Sequence, residues 1–512
     1  MKLNYKRTIL VGFAFFLISA FWQAYDATIP VILTNKFGMS QTWSGVIMAL
    51  DNILAVFMLP LFGALSDRCI GNKFGKRTPF IVLGTIIAAI ALVGLSFIDS
   101  AQLKNISAVS TIDDPAAMEL IFDSQSDKTL MTPEGEEFVL SQVFTKEQFI
   151  AICSQIEGKT NPDYTNYVAP ARQSYAAAAT AASPTALVLF VLLLLVILVA
   201  MATFRSPAVA LMPDVTIKPL RSKANAVINL MGTAGGILVL VLGMVFATSA
   251  VRNQLMNYTL YYFVIAGLML GALAVFLLTV KEKKWSQQML DDSVKYGIED
   301  VQEEAGESRK LSGTEKRSLI FILLSIALWY FGYNAVTSKY AVYAGNILNM
   351  DYNTTLLLAQ AAAIVAYLPA GMVASKIGRK KTIMAGVVML TTAFACASFM
   401  RAGSSVLLMN GLFALAGIGW ATINVNSFPM VVELCSGADI GKYTGFYYTA
   451  SMSAQIITPM LSGMLMDNMG MTILFPYASI FAGFALLTMF LVQHGDGKPE
   501  VKKGLDALDA ED

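Results

Sequence analysis

The fold of this chain is decided by the stretch from Trp43 to Phe80, which reads WSGVIMALDNILAVFMLPLFGALSDRCIGNKFGKRTPF. It begins as an apolar helix with a carboxylate, Asp51, near its middle. After Arg68 it turns through a short basic loop into a second apolar run. A carboxylate near the centre of a membrane span costs on the order of 3 kcal/mol, so such acids usually have a function. The stretch therefore predicts two membrane helices, the first of which carries a functional residue.

The composition of the whole chain is that of a membrane protein. Of its 512 residues, 56% are hydrophobic and 14% are charged, whereas a soluble domain has about 25% charged residues. The net charge of +1 argues against a nucleic-acid partner. The four cysteines are scattered and the single histidine, His494, lies in the polar tail, so no metal site, disulfide framework or cofactor is expected. No nucleophile–base set or phosphate loop is present, and an enzyme is not expected.

A membrane-spanning helix needs about 20 mainly apolar residues, and the sequence contains twelve such runs. They are residues 8–34, 43–66, 79–98, 184–212, 223–249, 258–280, 317–345, 354–376, 383–401, 404–432, 443–466 and 471–493. The predicted fold is an all-α polytopic membrane protein with twelve transmembrane helices in two pseudo-symmetric six-helix bundles. The predicted units are a first bundle at 1–280, a linker at 281–316, a second bundle at 317–493 and a tail at 494–512.

The distribution of lysine and arginine predicts the orientation in the membrane. The basic loops and both termini fall on the cytoplasmic side of a plasma membrane, which is expected to be a bacterial cytoplasmic membrane. The opposite side receives a long acid-rich insert, residues 99–183. Two interpretations of this insert remain open, a small folded cap or helical hairpin and a disordered loop. Its Ala-rich end, residues 175–182, is expected to lengthen the fourth span outward.

Three sequence elements recur in the same order in the two halves, which supports an internal repeat. The matching elements are Trp22-Gln-Ala-Tyr25-Asp26 with Trp329-Tyr-Phe-Gly-Tyr333-Asn334, Asp51…Pro60 with Gln360…Pro369, and Gly63…Asp67-Arg68…Gly75-Lys76-Arg77 with Gly371…Ser375-Lys376-Ile-Gly378-Arg379-Lys380. Acids of the first half are replaced by amides in the second. Charge chemistry is therefore expected in the first half, and neutral hydrogen bonding in the second.

The loop that begins at Gly63 resembles the loop between the second and third helices of the major facilitator superfamily, whose pattern is Gly-x-x-x-Asp-Arg-x-Gly-Arg-Arg. Here extra residues separate Arg68 from Gly75. That longer spacing is most similar to the plant-type sucrose transporters and the related glycoside–pentoside–hexuronide cation symporters. The resemblance implies the major facilitator fold and transport by alternating access. The long insert departs from the family pattern.

Asp26, Asp51 and Arg205 are the candidate cation-coupling residues. At 1.5 Å per residue, both acids lie roughly 12 Å below the outer surface, so neighbouring helices can bring them close. Two neighbouring carboxylates resist double ionisation, which suits reversible proton uptake. Arg205 stays charged and needs an acidic partner or an anionic substrate. In the alternative interpretation, the acids are held by hydrogen bonds and never titrate, and the arginine packs or snorkels.

A pocket of aromatic rings, amides and carboxylates suits a sugar, which has apolar C–H faces and a rim of hydroxyls. The candidate substrate-binding residues are Trp22, Gln23, Tyr25, Asp26, Asp51, Trp329, Tyr333, Asn334, Gln360, Asn424 and Asn426. Ordinary helix packing is the alternative for each aromatic residue. Lys339 can simply snorkel outward.

The resemblance implies that charges in the basic loops form an inner gate, which holds the two halves together while the outer side is open. The expected pairs are Asp67 with Arg68 or Arg77, and Asp214 with Arg221. Exposed pairs are worth roughly 0–1 kcal/mol each, so several must act together. The candidate gate residues are Gly63, Asp67, Arg68, Gly75, Lys76, Arg77, Asp214, Arg221, Gly378, Arg379, Lys380 and Glu433. In the alternative, these charges only determine topology.

The favoured function is the import of a sugar or glycoside, preferably a disaccharide, by proton symport. The expected partners are the sugar, a coupling proton (with sodium as the second choice) and the lipid bilayer, and the expected state is a monomer. One rival is a proton-driven exporter of small hydrophobic compounds. It is disfavoured because Met231-Gly232-Thr-Ala-Gly235-Gly236 lacks the proline of the Gly-Pro-x-x-Gly-Gly element that such exporters carry. The other rival is a non-transporting sensor with the same fold.

Overall fold

The computed structural model describes residues 3–69, 74–217, 220–295, 311–434 and 440–495. In chain order the helices are α1 (Tyr5–Asn35), α2 (Gln41–Arg68), α3 (Thr78–Asn105), α4 (Pro115–Gln125), α5 (Leu140–Val143), α6 (Lys146–Ile150), α7 (Ala169–Ala182), α8 (Thr185–Val215), α9 (Arg221–Val245), α10 (Thr259–Thr279), α11 (Glu282–Lys295), α12 (Gly313–Tyr343), α13 (Tyr352–Ile377), α14 (Arg379–Ala397), α15 (Val406–Val432), α16 (Ile440–Met469) and α17 (Leu474–Phe490). The strands are β1 (Thr129–Met131), β2 (Glu137–Val139), β3 (Gln155–Ile156) and β4 (Lys159–Thr160).

Long helices lie at each of the predicted spans. Within the described residues, ten helices are long and apolar enough to cross a membrane. Helices α13 and α16, at the other two predicted spans, contain 26 and 30 residues but are not among these ten. Of the predicted linker, 282–295 forms α11, and 296–310 lie outside the described residues, as does the tail beyond Gly495.

Several helices begin earlier than the apolar runs because polar residues cap them. The side chain of Ser40 accepts a hydrogen bond from the third residue of α2. Ser312 and Glu315 form a reciprocal capping box at the start of α12. Such caps satisfy backbone N–H groups that have no partner inside the helix. Hydropathy alone therefore misses the polar first turns of these helices.

Two hydrophobic cores form along the chain. The first is built from α1, α2, α3, α8, α9 and α10, and Phe204 lies in its interior. The second is built from α12 to α17 and includes the fully buried Phe475. It also includes Ala27 of α1, which lies where the two sets of helices meet. We refer to α1–α3 with α8–α10 as the first half and to α12–α17 as the second half.

Close helix crossings within each half depend on glycine. A Cβ atom on Gly84 of α3 would lie 2.6 Å from the carbonyl oxygen of Ala200 on α8. A Cβ atom on Gly417 of α15 would lie 2.1 Å from the carbonyl oxygen of Ala359 on α13. Small residues allow helix backbones to approach closely in a membrane, where van der Waals packing drives association. These crossings fix the relative positions of the helices that carry the candidate site.

The insert is folded around a small core of its own. Phe149 and Tyr164 are fully buried in it, together with Leu255 from the connection between α9 and α10. Strands β1 and β2 form one antiparallel hairpin, and β3 and β4 form another. Of the two interpretations given above, the structure therefore agrees with the folded cap.

The Ala-rich end of the insert does not lengthen the fourth span, contrary to expectation. It forms α7, which ends at Ala182, and α8 begins separately at Thr185. Ser183 between them has a non-helical backbone, with φ −136° and ψ 77°. It precedes Pro184, and a residue before proline is disfavoured in the helical conformation. A single proline therefore breaks what composition alone predicts as one helix.

The two halves are closed against each other at the end of the molecule that carries the insert, which we call the insert end. Here α2 crosses α16 so closely that a Cβ atom on Gly45 would lie 2.0 Å from the carbonyl oxygen of Pro459. The carboxylate of Asp467 on α16 accepts hydrogen bonds at 2.7 Å from the backbone N–H groups of Gln41 and Thr42, at the start of α2. A carboxylate from one half therefore caps a helix of the other.

A second crossing closes the insert end between α9 and α13. The hydroxyl groups of Thr248 and Tyr352 lie 2.8 Å apart, and Ser249 donates a hydrogen bond of 2.6 Å to Asp351. The opposite end, with the loops after α2 and α13, is called the loop end. Both sets of contacts between the halves therefore lie at the insert end.

Candidate functional site

Asp26, Asp51 and Arg205 lie near one another in the first half. They belong to α1, α2 and α8, and each is half-buried. The charge of Asp51 acts on Asp26, and that of Arg205 acts on Asp51. Asp51 also accepts hydrogen bonds from Asn52, at 2.6 Å from the backbone N–H and 2.7 Å from the side-chain amide. The structure thus brings the three charged residues together, and their role in coupling stays a prediction.

Arg205 makes no ion pair or hydrogen bond with the described residues. Its guanidinium carbon lies 5.8 Å from the centre of the Trp22 ring. Such a cation–π contact is worth about 0.5–2 kcal/mol and offsets only part of the cost of burying a charge. The guanidinium donors of Arg205 are therefore available to an approaching carboxylate or to a polar substrate.

Two aromatic residues of α1 line the charged group. The rings of Trp22 and Tyr25 meet edge to face, with centroids 5.4 Å apart. Within the described residues, the indole N–H of Trp22 and the hydroxyl of Tyr25 are buried without a hydrogen-bond partner. Leaving such a group unpaired costs about 1–3 kcal/mol, so both groups favour a site that takes up water or a ligand.

Tyr333 of the second half belongs to an aromatic stack that the sequence did not reveal. Its ring lies parallel to that of Trp420, with centroids 3.6 Å apart and an interplanar angle of 3°. Tyr330 meets the same indole edge-on at 5.1 Å. Tyr333 is also close enough to Asp26 for their charges to interact. The stack therefore faces the charged group across the boundary between the halves.

Trp420 was missed because it lies in the tenth predicted span, outside the repeated elements. Its only sequence signal is a tryptophan directly after Gly417 and Gly419 in an apolar helix, four residues before the predicted Asn424. Residues that are three or four positions apart in a helix face the same side. A search for aromatic residues one turn from a candidate amide would have found it.

Two predicted pocket residues lie in the packed interior instead. Trp329 is fully buried within the second core, so ordinary packing accounts for it. Asn426 is also fully buried, and its amide donates to the carbonyl of Thr422 at 2.9 Å. Neither side chain is accessible to a substrate in this state.

The remaining predicted amides lie closer to the boundary. Gln360 of α13 donates a hydrogen bond of 2.6 Å to the side chain of Gln23 on α1. Both amides pack beside Gly236 of α9, where a Cβ atom would lie 3.3 Å from the oxygen of Gln360. Asn334 and Asn424 are half-buried, and the amide nitrogen of Asn334 has no partner within the described residues. The Gln23–Gln360 bond therefore links the two halves directly.

Arg77 is the centre of the charge network at the loop end of the first half. Its Nε donates to Asp214 at 2.8 Å, and its two terminal nitrogens bond Asp67 and Ser66. Lys76 lies 3.4 Å from Asp214. The predicted Asp67–Arg77 pair is therefore present.

The predicted pairs Asp214–Arg221 and Asp67–Arg68 are not formed. Arg221 donates to the carbonyl oxygens of Thr216 and Pro213, at 3.2 and 3.3 Å, and so holds the carboxyl end of α8. Its charge suits this position because carbonyl groups at a helix end carry partial negative charge. Arg68 is exposed. The carboxylate of Asp214 is taken by Arg77 instead, whose planar guanidinium can reach two acids at once.

Glycines allow the turns of these two loops. Gly75 has φ +128° and Gly378 has φ +93°, a region that only glycine adopts readily. Gly63 lies close to α8, since a Cβ atom there would lie 2.9 Å from the hydroxyl of Ser206. Gly75 and Gly378 therefore lie in turns, whereas Gly63 lies within α2 at a close approach to α8.

The equivalent network in the second half is simpler. Arg379 forms an ion pair with Glu433 at 2.5 Å. Lys380 donates to the carbonyl of Val492 at 2.6 Å. Among the ion pairs formed by described residues at the loop end, all lie within one half.

Three buried polar contacts were not predicted. Lys36 and Asp99 form a fully buried ion pair at 2.6 Å. Lys339 does not snorkel outward, because it is fully buried and donates to the carbonyl of Gln41 at 2.6 Å. The carboxylate of Glu282, on the linker helix, accepts hydrogen bonds of 2.6–2.8 Å from residues 76–78 at the start of α3. Each joins residues far apart in sequence, so no local pattern signals it.

Two family models match the chain, one near each end. Residues 10–101 match the model described as MFS/sugar transport protein, and residues 353–508 match the model of the Major Facilitator Superfamily. A stretch of 72 residues is 36% identical to the sucrose transport protein SUC4 of Arabidopsis thaliana. That stretch spans 14% of this chain and 14% of the relative's length.

Solved transporter structures share the fold over nearly the whole chain. The inward-open xylose transporter XylE from E. coli has a TM-score of 0.59 and 14% identity, over 99% of both chains. An inward-facing bacterial homologue of the iron transporter ferroportin has a TM-score of 0.60 and 12% identity, over 96% of this chain and 99% of that one. At such identities the likeness concerns the fold alone. Family models of this superfamily match near both ends of the chain, and its fold is that of solved transporters, so the chain is similar to the transporters of the major facilitator superfamily.

Proposed function

We propose that this protein is a secondary active transporter that imports a sugar or glycoside, preferably a disaccharide, together with a proton by alternating access. The observation that carries the proposal is the group formed by Asp26, Asp51 and Arg205, three charged side chains inside apolar helices with no ion pair among described residues. Charges at such positions are costly, and where they occur they usually face a cavity and mark the pathway of an ion or substrate.

The coupling step would use the closeness of the two acids. Two ionised carboxylates this close would repel each other, so we propose that one of Asp26 and Asp51 takes up the transported proton. Protonation on the outer side would load the cation. On the inner side, the guanidinium of Arg205 would compete with the proton for Asp51 and so favour its release. A clustered pair of carboxylates can also ligate sodium, which remains the second choice.

The sugar would bind between the charged group and the second half. Trp22 and Tyr25 on one side, and the Tyr333–Trp420 stack on the other, offer aromatic faces for the C–H surfaces of a sugar. The Gln23–Gln360 pair offers donors and acceptors for hydroxyl groups. The likeness to a sucrose transport protein makes sucrose the first substrate to test.

The transport cycle would rock two six-helix bundles about this site. We assign α1–α3 with α8–α10 to one bundle and α12–α17 to the other, with twelve spans in total. The closed insert end and the separate charge networks at the loop end support an inward-facing state. We propose further that both termini are cytoplasmic, that the protein lies in the plasma membrane as a monomer, and that the loop-end pairs help close the inner gate.

The direct test is uptake of radiolabelled sucrose, maltose and trehalose into liposomes that contain the purified protein. One arm imposes an inward proton gradient at constant sodium, a second imposes a sodium gradient at constant pH, and a third adds a protonophore. We expect accumulation in the first arm that the protonophore abolishes. Uptake that does not depend on the proton gradient would contradict proton coupling. Absence of uptake for all three sugars would contradict the proposed substrate class.

A further inference from the structure

The insert contacts both halves of the transporter, although the chain joins it to the first half alone. On the first-half side, Gln173 of α7 donates to Asn35 at 2.8 Å, and Gln102 of α3 donates to Thr180 at 2.9 Å. Leu255 of the first half lies in the insert's core. The insert is therefore packed against the first half by hydrogen bonds and by a shared core.

The insert reaches the second half through the tip of the β1–β2 hairpin. The backbone N–H of Met471 donates to the carbonyl of Pro133 at 2.7 Å. Gly135 and Gly470 pack against each other. A Cβ atom on the first would lie 2.6 Å from the carbonyl oxygen of Met469, and one on the second would lie 2.5 Å from the backbone of Glu134. We call this contact between residues 133–135 and 469–471 the clasp.

Two weaker contacts flank the clasp. Arg401 lies 3.6 Å from Glu134, and both side chains are exposed. The hydroxyl of Thr165 donates to Asn349 at 3.4 Å. All of these contacts lie at the insert end, where Asp467 caps α2 and where the halves meet closely. Opening of this end would therefore have to separate the clasp as well.

We propose that the clasp is a conformational brake, which holds the outer side closed and sets how often the transporter opens outward. The proposal rests on the alternating-access part of the proposed function. The backbone hydrogen bond and the glycine packing add to the contacts that must break before the halves separate. A net contribution of about 0.5–1.5 kcal/mol from one hydrogen bond corresponds to a roughly 2- to 10-fold change in the open population.

A buried serine gives a reporter of outward opening that needs no substrate. Ser44 of α2 is fully buried at the α2–α16 crossing. In the full-length protein, Ser44→Cys is introduced after the native cysteines at 69, 153, 396 and 435 are replaced by serine. The rate of labelling with a bulky maleimide then measures exposure of this position.

Gly135→Ala is the test variant, and Gly158→Ala is its matched control. Both glycines lie in hairpin turns of the insert with positive φ, +98° and +76°, so both substitutions introduce similar backbone strain. A Cβ atom on Gly158, however, would have no neighbouring atom within 4 Å, so this residue touches nothing in the second half. We expect Gly135→Ala to raise the labelling rate about 2- to 10-fold and Gly158→Ala to leave it unchanged. Equal rates for the two variants would overturn the proposal.

The same contact can be tested from the second half if Gly135→Ala does not fold. Gly470→Ala should accelerate labelling, and Gly403→Ala, with a similar φ of +84° and open space around it, should not. Asp467→Asn, which weakens the cap on α2, separates the two proposals. If Asp467→Asn accelerates labelling and the clasp variants do not, the clasp does not act as a brake, but the proposal of alternating access is retained. If none of these variants accelerates labelling, both are contradicted.

Discussion

The leading helices of the two halves carry equivalent polar residues with different chemistry. In α1 and α2 they are Asp26 and Asp51, and in α12 and α13 they are Asn334 and Gln360. Gln360 is hydrogen-bonded across the boundary to Gln23, whereas Asp26 has no hydrogen bond to the described residues. An amide keeps its donors and acceptors in every state, but a carboxylate changes its hydrogen bonding when it takes up a proton. The comparison teaches that one half of a repeated architecture can carry the titratable groups while the other keeps neutral ones.

The largest expected effect is a difference in stability between removal of an acid that has an ion-pair partner and removal of one that has none. Asp99→Asn removes the partner of the buried Lys36, and we expect it to lower the free energy of unfolding by about 3–5 kcal/mol. Asp26→Asn removes an acid without an ion pair and relieves its repulsion with Asp51, so it should leave stability unchanged or raise it. Chemical denaturation of both variants in one detergent measures this difference. Equal losses would mean that Asp26 has a structural role like that of Asp99.

The second prediction concerns the negative charge of the Asp51 carboxylate. Asp51→Asn should reduce gradient-driven sugar uptake at least tenfold, a barrier change of about 1.4 kcal/mol, because the site can no longer take up a proton. Sugar binding should persist, since the amide still offers hydrogen bonds. Asp51→Glu, which keeps a carboxylate, should recover part of the uptake, and the exposed Asp127→Asn should behave as the parent. Unchanged uptake in Asp51→Asn would remove this residue from the coupling step.

The third prediction concerns the aromatic stack of the second half. Trp420→Ala removes the ring that packs on Tyr333 at 3.6 Å. A stacked aromatic pair is worth about 0.5–1.5 kcal/mol, so sugar affinity should fall roughly 2- to 10-fold. Trp420→Phe should restore part of it. Trp43→Ala is the control, because this side chain is 62% exposed and lies away from the site. Titration calorimetry with sucrose measures the change. Equal affinity for all three variants would exclude a role for Trp420 in the surface on which the sugar stacks.

The smallest effect is expected at the amide bridge. Gln360→Ala and Gln23→Ala each remove the same hydrogen bond between the halves, worth about 1 kcal/mol, which changes the apparent sugar affinity roughly fivefold. Because the two variants remove one shared interaction, the double variant should be no worse than either single one. Additive losses in the sugar-uptake KM would show that the two amides act independently.

The sequence was sufficient to locate the helices and the charged group, because both depend on local signals. Apolar runs near membrane length predict spans, and an acid such as Asp51 is conspicuous within one. The spacing that predicted closeness of Asp26 and Asp51 also relies on nothing beyond the rise of a helix.

The features that were missed depend on contacts between distant segments. Lys36 and Asp99 are separated by 63 positions, and Glu282 caps a helix that begins more than 200 positions earlier. Arg77 was one of two predicted partners of Asp67, and its second acid, Asp214, was predicted to pair with Arg221, which is nearer in sequence. Proximity along the chain is a poor predictor of ion-pair partners where helices from different parts of a bundle meet. Two interpretations of the insert stayed open for the same reason, since its core includes Leu255 from outside it.

The most direct test of the central claim is a measurement of proton movement that accompanies sugar entry. Sucrose, or the sugar found in the uptake screen, is added to weakly buffered vesicles, and the external pH is recorded. The account predicts alkalinisation with the parent protein, and none with Asp26→Asn although that variant still binds the sugar. Sugar accumulation by the parent without alkalinisation, or equal alkalinisation with Asp26→Asn, would contradict it.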